Sequence, residues 1–198
     1  MTVQQTNMAT SSARATDGWP RKTWTHHDLD RMAEAGLLAP DEHVELIEGE
    51  IYPMPSKGNR HERVRLALNV WLYDQLGKDK MVLPEAGWRP ALRDYLEPDF
   101  LIVPRHVVPP EFPGSDVLLA IEIADSSFGY DTTIKRNCYA GLGVMEYWVI
   151  HAWELTTRVH RAPIAGDYSD YVEQPPTARL TPTLAPELAL ALTDLGIA

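Results

Sequence analysis

Apolar and polar residues recur along the chain with periods that predict helices and strands in a definite order. Between residues 59 and 76 apolar side chains fall every three to four positions, which predicts a long helix that Gly77 ends. A shorter helix is predicted after Thr25, a candidate N-cap with Asp28 three residues later. A third is predicted from residue 131 to about 140. The apolar stripe of the long helix consists of Val64, Ala67, Leu68, Trp71 and Leu72.

Short apolar runs between turn residues predict the strands. The stretch HVELIEGEIYPM predicts a hairpin that turns at Glu48 and Gly49. The sequence LTPTLAPELALALTDLG near the C-terminus is ambiguous because prolines interrupt it. Further strands are predicted at residues 81–84, 88–92, 100–103 and 117–124, in MEYWVI and in ELTTRVHRA.

The order of these elements predicts an α/β fold. A central mixed β-sheet flanked by helices is expected, preceded by an N-terminal helix and a β-hairpin. Residues 1–18 are small and polar without a period, and we predict a disordered tail there. Residues 19–198 are predicted to form a single domain, which a chain of 198 residues readily supports.

Composition narrows the functional classes. The formal net charge of −10 argues against non-specific nucleic-acid binding through overall charge, although it leaves a local basic groove open. The single cysteine, Cys138, excludes an intramolecular disulfide and is interpreted as a small core residue. No apolar run approaches the ~20 residues of a membrane span, and the N-terminus lacks an apolar signal core. We therefore expect a cytoplasmic protein.

Two carboxylates stand inside apolar runs, where burial without partners is costly. Asp99 immediately precedes FLIV, and Glu122 lies within VLLAIEI. Strand alternation places Glu122 on the face shared by Ala120 and Ala124. A divalent cation would resolve the repulsion between two such acids, and Mg²⁺ is typically held by one or two carboxylates. Asp99 alone is equally well explained as a turn residue, whereas Glu122 is hard to explain as a solvated one.

Several motifs together resemble the Uma2 family of restriction-endonuclease-like proteins. They are EPDF, Glu122 in IEIADSS, the run YDTTIKRNCYAGLGVMEYWVI, the upstream HVELIEGEIYPMP and the histidine of GNRHERV, covering about residues 23–160. This family is part of the PD-(D/E)XK nuclease superfamily. The resemblance implies a restriction-endonuclease-like core and Mg²⁺-dependent endonucleolytic cleavage of DNA, with Mn²⁺ as a substitute. It also implies that a homodimer could cut both strands.

The resemblance assigns roles to individual residues. Asp99 and Glu122 correspond to the paired acids, and with Ile123 they would hold the metal. Glu45 corresponds to an upstream acid of the same cluster. The superfamily places a lysine two residues after the second acid, where this chain has Ala124.

The resemblance implies that the lysine has moved from the strand to the following helix, as in similar families. Here the matching residue is Lys135, with Tyr139 one turn later lining the site. Lys135 could instead be a solvent-facing residue paired with Asp131, and Glu45 an exposed acid on a hairpin strand. His61 is assigned equally to the site or to an exposed helix position.

Other candidate sites are weaker. HERVR, which begins at His61, lacks the second histidine of a zinc-protease motif. His26 and His27 are interpreted as residues of a first helical turn without a metal partner. Three functions therefore remain: the nuclease, a catalytically inactive module of the same fold that binds DNA or protein, and a two-carboxylate glycosidase. The short chain without a barrel-like repeat makes the glycosidase remote.

Overall fold

The computed structural model describes residues 21–197 and begins with helix α1, His26–Glu34. The Thr25 hydroxyl accepts the backbone N–H of Asp28, and the Asp28 carboxylate accepts the backbone N–H of Thr25. The capping box predicted from the sequence is thus confirmed. The tail predicted for residues 1–18 lies outside the described residues.

The predicted hairpin follows, with strands β1, Val44–Ile47, and β2, Glu50–Pro53. Glu48 and Gly49 form its turn, and both have positive φ angles. A Cβ atom on Gly49 would lie 2.5 Å from the Thr23 Cβ, so this position requires glycine.

Six strands form the central sheet in the order β3, β4, β5, β6, β7, β8. All neighbouring strands are antiparallel except β5 and β6, which are parallel. A parallel pair needs a crossover connection, and a helical segment supplies it here. The strands are β3, Lys80–Pro84; β4, Phe100–Pro104; β5, Leu119–Ala124; β6, Glu146–His151; β7, Thr157–Ile164; and β8, Asp167–Gln174.

Helices cover both faces of this sheet. Helix α2, Asn59–Gln75, is the long helix predicted from the sequence. The crossover segment, here α3, joins a short α-helical turn, a π-helical turn and a final α-helical stretch: Phe128–Tyr130, Asp131–Lys135 and Arg136–Gly141. Short 3₁₀ turns lie at Gly114–Asp116, Pro186–Leu188 and Leu192–Leu195. Within residues 21–197, no helix combines the length and apolar character needed to cross a membrane.

Each face of the sheet has its own core. The side covered by α2, here the α2 face, packs the stripe Val64, Leu68 and Leu72 against strand residues that include Phe100, Ile102, Ile121, Ile123 and Trp148. The side covered by α3, the α3 face, contains Ala120, Ala124, Tyr139, Tyr147 and Val149. Strand alternation therefore directs Glu122 toward α3 while its two neighbours face α2.

The predicted mixed sheet with flanking helices, N-terminal helix and hairpin is confirmed, with three local differences. The strand predicted at residues 88–92 is wrong: Trp88 forms only an isolated bridge to Leu96, and Pro90 has no N–H to extend a ladder. Strand β8 was not predicted, because only Tyr168 of this edge strand is buried and no apolar alternation marks it. The helix predicted from residue 131 begins earlier, at Phe128.

Candidate active site

A cleft open to solvent lies where β4 begins and β5 ends, between the start of α2 and the π-helical turn of α3. Its cavity volume for water-sized molecules is about 30 Å³. Its walls include two acids from the strands and two basic residues from the flanking segments: Asp99, Glu122, Lys57 and Lys135. The carboxylates noted in the sequence therefore face one space.

Asp99 precedes β4 and is buried. Its Oδ2 accepts the backbone N–H of Ile123 at 2.7 Å and lies 3.0 Å from His61 Nε2. Its Oδ1 accepts a hydrogen bond from Lys57 Nζ at 2.9 Å. The bond to Ile123 ties the start of β4 to the end of β5 and fixes the Asp99 carboxylate beside Glu122.

Glu122 is buried within β5, and its two oxygens have unequal surroundings. Oε1 accepts hydrogen bonds from Lys135 Nζ at 2.9 Å and from the Tyr139 hydroxyl at 2.7 Å. Oε2 accepts only a longer bond, 3.3 Å, from the backbone N–H of Asp99. One oxygen is therefore held by α3, while the other remains toward Asp99.

Lys135 occupies the centre of the acidic cluster and is only 1% exposed. Its Nζ lies 2.9 Å from Glu122 Oε1 and 3.0 Å from Glu45 Oε1. Glu45 belongs to β1, and its carboxylate also accepts the backbone N–H of Glu97 and the hydroxyl of Tyr130. Lys135 thus joins the hairpin, the sheet and α3.

Asp131 and Lys135 begin and end the π-helical turn and lie on the same side of α3. Both are buried, with 4.0 Å between Asp131 Oδ1 and Lys135 Nζ, and Asp131 Oδ2 accepts a hydrogen bond from the Ser127 hydroxyl. Single π-helical turns inside helices occur frequently at functional sites. The turn therefore adds a fourth buried carboxylate, beside those of Glu45, Asp99 and Glu122.

Two basic side chains border the cleft from the α2 side. His61, in the first turn of α2, is buried against Asp99. Lys57 precedes α2 and is about one third exposed, with Nζ 2.7 Å from Glu85 Oε1 and 2.9 Å from Asp99 Oδ1. Lys57 is thus the cation of the cleft that solvent reaches.

The surroundings shift the pKa values of Glu122 and Asp99 in opposite directions. Burial raises the pKa of Glu122, Lys135 opposes this effect, and the like charges of Asp99, Asp131 and Glu45 add to the rise. Burial would also raise the pKa of Asp99, but the hydrogen bond and charge of His61, with the charge of Lys57, outweigh it and lower this pKa. The pKa of Lys135 stays above its usual value despite burial, because Glu122 and Glu45 stabilise the ammonium.

Every residue selected from the sequence lies in or beside this cluster. The structure brings together Asp99, Glu122, Lys135, Glu45, His61, Ile123 and Tyr139. The alternative of an exposed Glu45 or a solvent-facing Lys135 does not hold, since both are buried. Sequence reasoning missed Lys57 altogether, and it treated Asp131 only as a helix-surface partner. Lys57 and Asp131 are identified only by their contacts in the folded structure, because no local sequence pattern marks either of them.

A second group of donor atoms lies at α1. Ligand atoms of His26, His27 and Asp30 are within 4.8 Å of one another, so the two histidines have a neighbour that the sequence interpretation did not expect. Both oxygens of Asp30, however, accept hydrogen bonds from Arg89, at 2.7 and 3.1 Å. The acid of this group is therefore already neutralised by an ion pair.

Comparison with known proteins adds family evidence. No curated protein matches the chain. A crystal structure from Anabaena variabilis, described as "a putative nuclease belonging to DUF820", shares 20% sequence identity and a TM-score of 0.65. The match covers 88% of this chain and 97% of that one, which extends the similarity of fold over nearly the whole molecule. The model of the Uma2 family, described as "Putative restriction endonuclease", matches residues 27–193, and the chain belongs to this family.

Proposed function

We propose that this protein is a metal-dependent endonuclease that hydrolyses phosphodiester bonds in DNA. The observation that carries the proposal is the pair of buried carboxylates, Asp99 and Glu122, held side by side at the wall of an open cleft next to a buried ammonium. Membership of a family described as "Putative restriction endonuclease" supports it. Positioned acids beside a cleft are typical of hydrolytic sites.

The donor atoms at the cleft fit a hard divalent cation. Asp99 and Glu122 offer carboxylate oxygens, and Ile123 can contribute only its backbone carbonyl, because its side chain is a hydrocarbon. Mg²⁺ and Mn²⁺ prefer such oxygen ligands. Three buried carboxylates lie around Lys135 and a fourth, Asp99, lies beside Glu122; burial first, and then the charges of these neighbouring acids, raise the pKa of Glu122. A cation at Asp99 and Glu122 would relieve the repulsion between these acids.

The protein's own groups prepare these ligands. His61 and the Ile123 N–H fix Asp99 Oδ2, while Tyr139 and Lys135 fix Glu122 Oε1. Glu122 Oε2 has the weakest partner and is the oxygen most available to a metal. The chemistry supplied by bound Mg²⁺ would be activation of water and stabilisation of the negative charge that develops on the phosphate.

Lys135 and Lys57 are proposed to have different tasks. Lys135 is buried and paired with two carboxylates, so its charge orients Glu122 and balances the cluster. Lys57 is partly exposed at the cleft, where its ammonium can contact a phosphate of the substrate. Because the chain is formally −10, attraction to DNA must come from such local groups.

The inactive-module alternative predicts a relaxed site. A protein that only bound DNA or protein would gain nothing from keeping an acid–lysine cluster buried, since desolvating these charges costs free energy. The intact contacts of Lys135 with Glu122 of the sheet and Glu45 of the hairpin therefore favour catalysis.

Plasmid nicking tests the proposal directly. Supercoiled plasmid has no ends, so its conversion to open circle or linear DNA reports endonucleolytic cleavage. Wild type would be incubated with Mg²⁺ or Mn²⁺, alongside Asp99→Asn, Glu122→Gln and the matched control Glu111→Gln, which removes an exposed acid. We expect cleavage by wild type and control, and loss of at least about 100-fold in the two site variants.

Melting temperatures measured on the same samples separate chemistry from folding. Glu122→Gln removes a charge that burial and neighbouring acids disfavour, so its melting temperature should hold. Asp99→Asn loses the charge that His61 and Lys57 stabilise, so a lower melting temperature is expected, with a folded protein at the assay temperature. Absence of cleavage by the wild type with several DNA forms and both metals would overturn the proposal. Cleavage that persists in Asp99→Asn would place the activity elsewhere.

A further inference from the structure

Helix α2 is apolar on two opposite sides. Its inner side, Val64, Leu68 and Leu72, packs on the sheet and accounts for the burial of the helix. Its outer side carries three large apolar residues, Leu66, Val70 and Tyr73, which are 56%, 62% and 58% exposed. A surface helix normally presents polar residues to solvent, so this outer side requires an explanation.

The spacing of these residues is that of a helix–helix seam. Positions 63, 66, 70 and 73 follow one another at intervals of three, four and three, the repeat by which one helix packs along another. Leucine and valine occupy the two central positions of this repeat, as in two-stranded seams. The exposed residues therefore form one line rather than scattered single contacts.

Charged residues stand at both ends of this line. Arg63 lies near the start and Asp74 near the end, and both are exposed. Neither forms an ion pair with another residue among positions 21–197. We define the outer stripe of α2 as Arg63, Leu66, Val70, Tyr73 and Asp74.

We propose that the outer stripe is the interface of a homodimer in which the α2 helices of two copies pack antiparallel. In this arrangement Arg63 of one copy lies against Asp74 and Tyr73 of the other, and Leu66 lies against Val70. The same contacts repeat on the other side of the two-fold axis, as a symmetric interface requires. This inference does not depend on the nuclease proposal.

Charge selects both the occupant and the orientation. A parallel pair would set Arg63 against Arg63 and Asp74 against Asp74, whereas the antiparallel pair matches opposite charges at each end. The stripe is not expected to bind nucleic acid, because phosphates bind basic groups and the centre of the stripe is apolar. One helix pair buries less than a standard interface, so we expect a dissociation constant on the order of micromolar.

Sedimentation velocity over a concentration series measures this association. Val70→Glu puts a carboxylate in the centre of the seam and should raise the dissociation constant roughly tenfold or more. Val108→Glu is the matched control, since it introduces the same charge at an exposed valine outside α2. Both variants should keep the wild-type melting temperature at concentrations where the wild type is monomeric, because both side chains are exposed.

Cysteine cross-linking tests the orientation. In the antiparallel seam, a mixture of Leu66→Cys and Val70→Cys should form a disulfide-linked dimer faster than either variant alone. A parallel seam would instead favour Leu66→Cys alone. The wild type is the background control, because its single cysteine, Cys138, is buried.

The outcomes are decisive in each direction. Concentration-dependent dimers that Val70→Glu weakens and Val108→Glu does not, with preferential cross-linking in the mixture, support the proposal. A monomer at every concentration overturns it, as does a dimer unaffected by Val70→Glu. Faster cross-linking of Leu66→Cys alone overturns the antiparallel arrangement.

Discussion

Ile121 and Ile123 of β5 face α2 and lie in an apolar core, whereas Glu122 between them faces α3 and lies among charged groups. One strand thus separates two environments. The α2 face is stabilised by dispersion and by burial of apolar area. These contributions involve no titrating group and no oppositely charged partner, so they do not vary with pH. The α3 face near the cleft depends on balanced charge, so its stability should respond to protons and cations.

The largest expected effect breaks the apolar side of this comparison. Phe100→Ala removes a fully buried ring from the α2 face and leaves a cavity, which should lower the free energy of unfolding by about 3–5 kcal/mol. Urea unfolding measures the loss, and it should be similar at pH 5 and pH 7 because no titrating group is removed. Val108→Ala, at an exposed site, should change stability by less than about 0.5 kcal/mol.

Lys135→Met breaks the charged side. It leaves Glu45, Asp131 and Glu122 without their shared ammonium, and we expect a loss of about 3 kcal/mol at pH 7. Because the pKa of Glu122 is raised in the folded state, that state binds protons more readily than the unfolded chain, and acidification stabilises it. Part of the loss should therefore return at pH 5.

The exposed Lys78→Met is the control for Lys135→Met, and it should leave stability nearly unchanged at both pH values. An equal loss in Lys135→Met at pH 5 and pH 7 would mean that lost packing, rather than charge, explains the effect.

His160→Phe tests whether a buried titrating group away from the cleft also makes stability depend on pH. Burial, with Arg136 and Arg158, lowers the pKa of His160 to about 4, and its ring stacks on Tyr147. Between about pH 6.5 and pH 4, His160 is therefore protonated in the unfolded chain and neutral in the folded state. Wild-type stability should fall by up to about 3 kcal/mol as the pH drops through this window.

Phenylalanine preserves the aromatic stacking and removes the titration, so His160→Phe should flatten this part of the pH profile in urea unfolding. The exposed His106→Phe is the matched control and should retain the wild-type slope. A His160→Phe profile as steep as the wild type would assign the acid sensitivity to other groups.

The smallest effect on stability is expected at the cleft mouth. Lys57→Met removes two ion pairs of a partly exposed ammonium, with Glu85 and Asp99, which should change the free energy of unfolding by less than about 1 kcal/mol. It also frees Asp99 Oδ1 from a competing cation, so Mn²⁺ should bind several-fold more tightly, as measured by electron paramagnetic resonance. Unchanged or weaker Mn²⁺ binding would show that Lys57 does not compete for Asp99.

Residues with strong local patterns were predictable from the sequence. The apolar stripe of α2 repeats every three to four residues, and β4 and β5 are continuous apolar runs. The observed bounds of these three elements differ from the predicted ones by two residues or fewer. Strand β8 was missed because it is an edge strand whose side chains mostly face solvent. The segment at 88–92 was mistaken for a strand because the burial of Trp88 comes from packing near Phe112, beyond any local signal.

The candidate site divides in the same way. Asp99 and Glu122 stand out because acids inside apolar runs are costly, and the family resemblance pointed to Lys135. Lys57 could not be found from the sequence, since its position beside Asp99 depends on how the segment before α2 folds across the cleft. Asp131 is buried within a π-helical turn, and neither the turn nor the burial has a signature in the local sequence.

That π-helical turn also has a consequence for how the chain tolerates change in length. A π-helical turn contains one residue more than the α-helical turn it replaces. Deleting Thr133, an exposed residue within it, would let α3 close into a regular helix while β5 and β6 keep their places. The segments on either side of the deletion would then keep their orientation, and Asp131 and Lys135 would stand three positions apart, still on one side of α3. The crossover thus holds one residue in reserve: the chain can lose a single codon there and still connect β5 to β6 with its buried acid and lysine facing the same cluster.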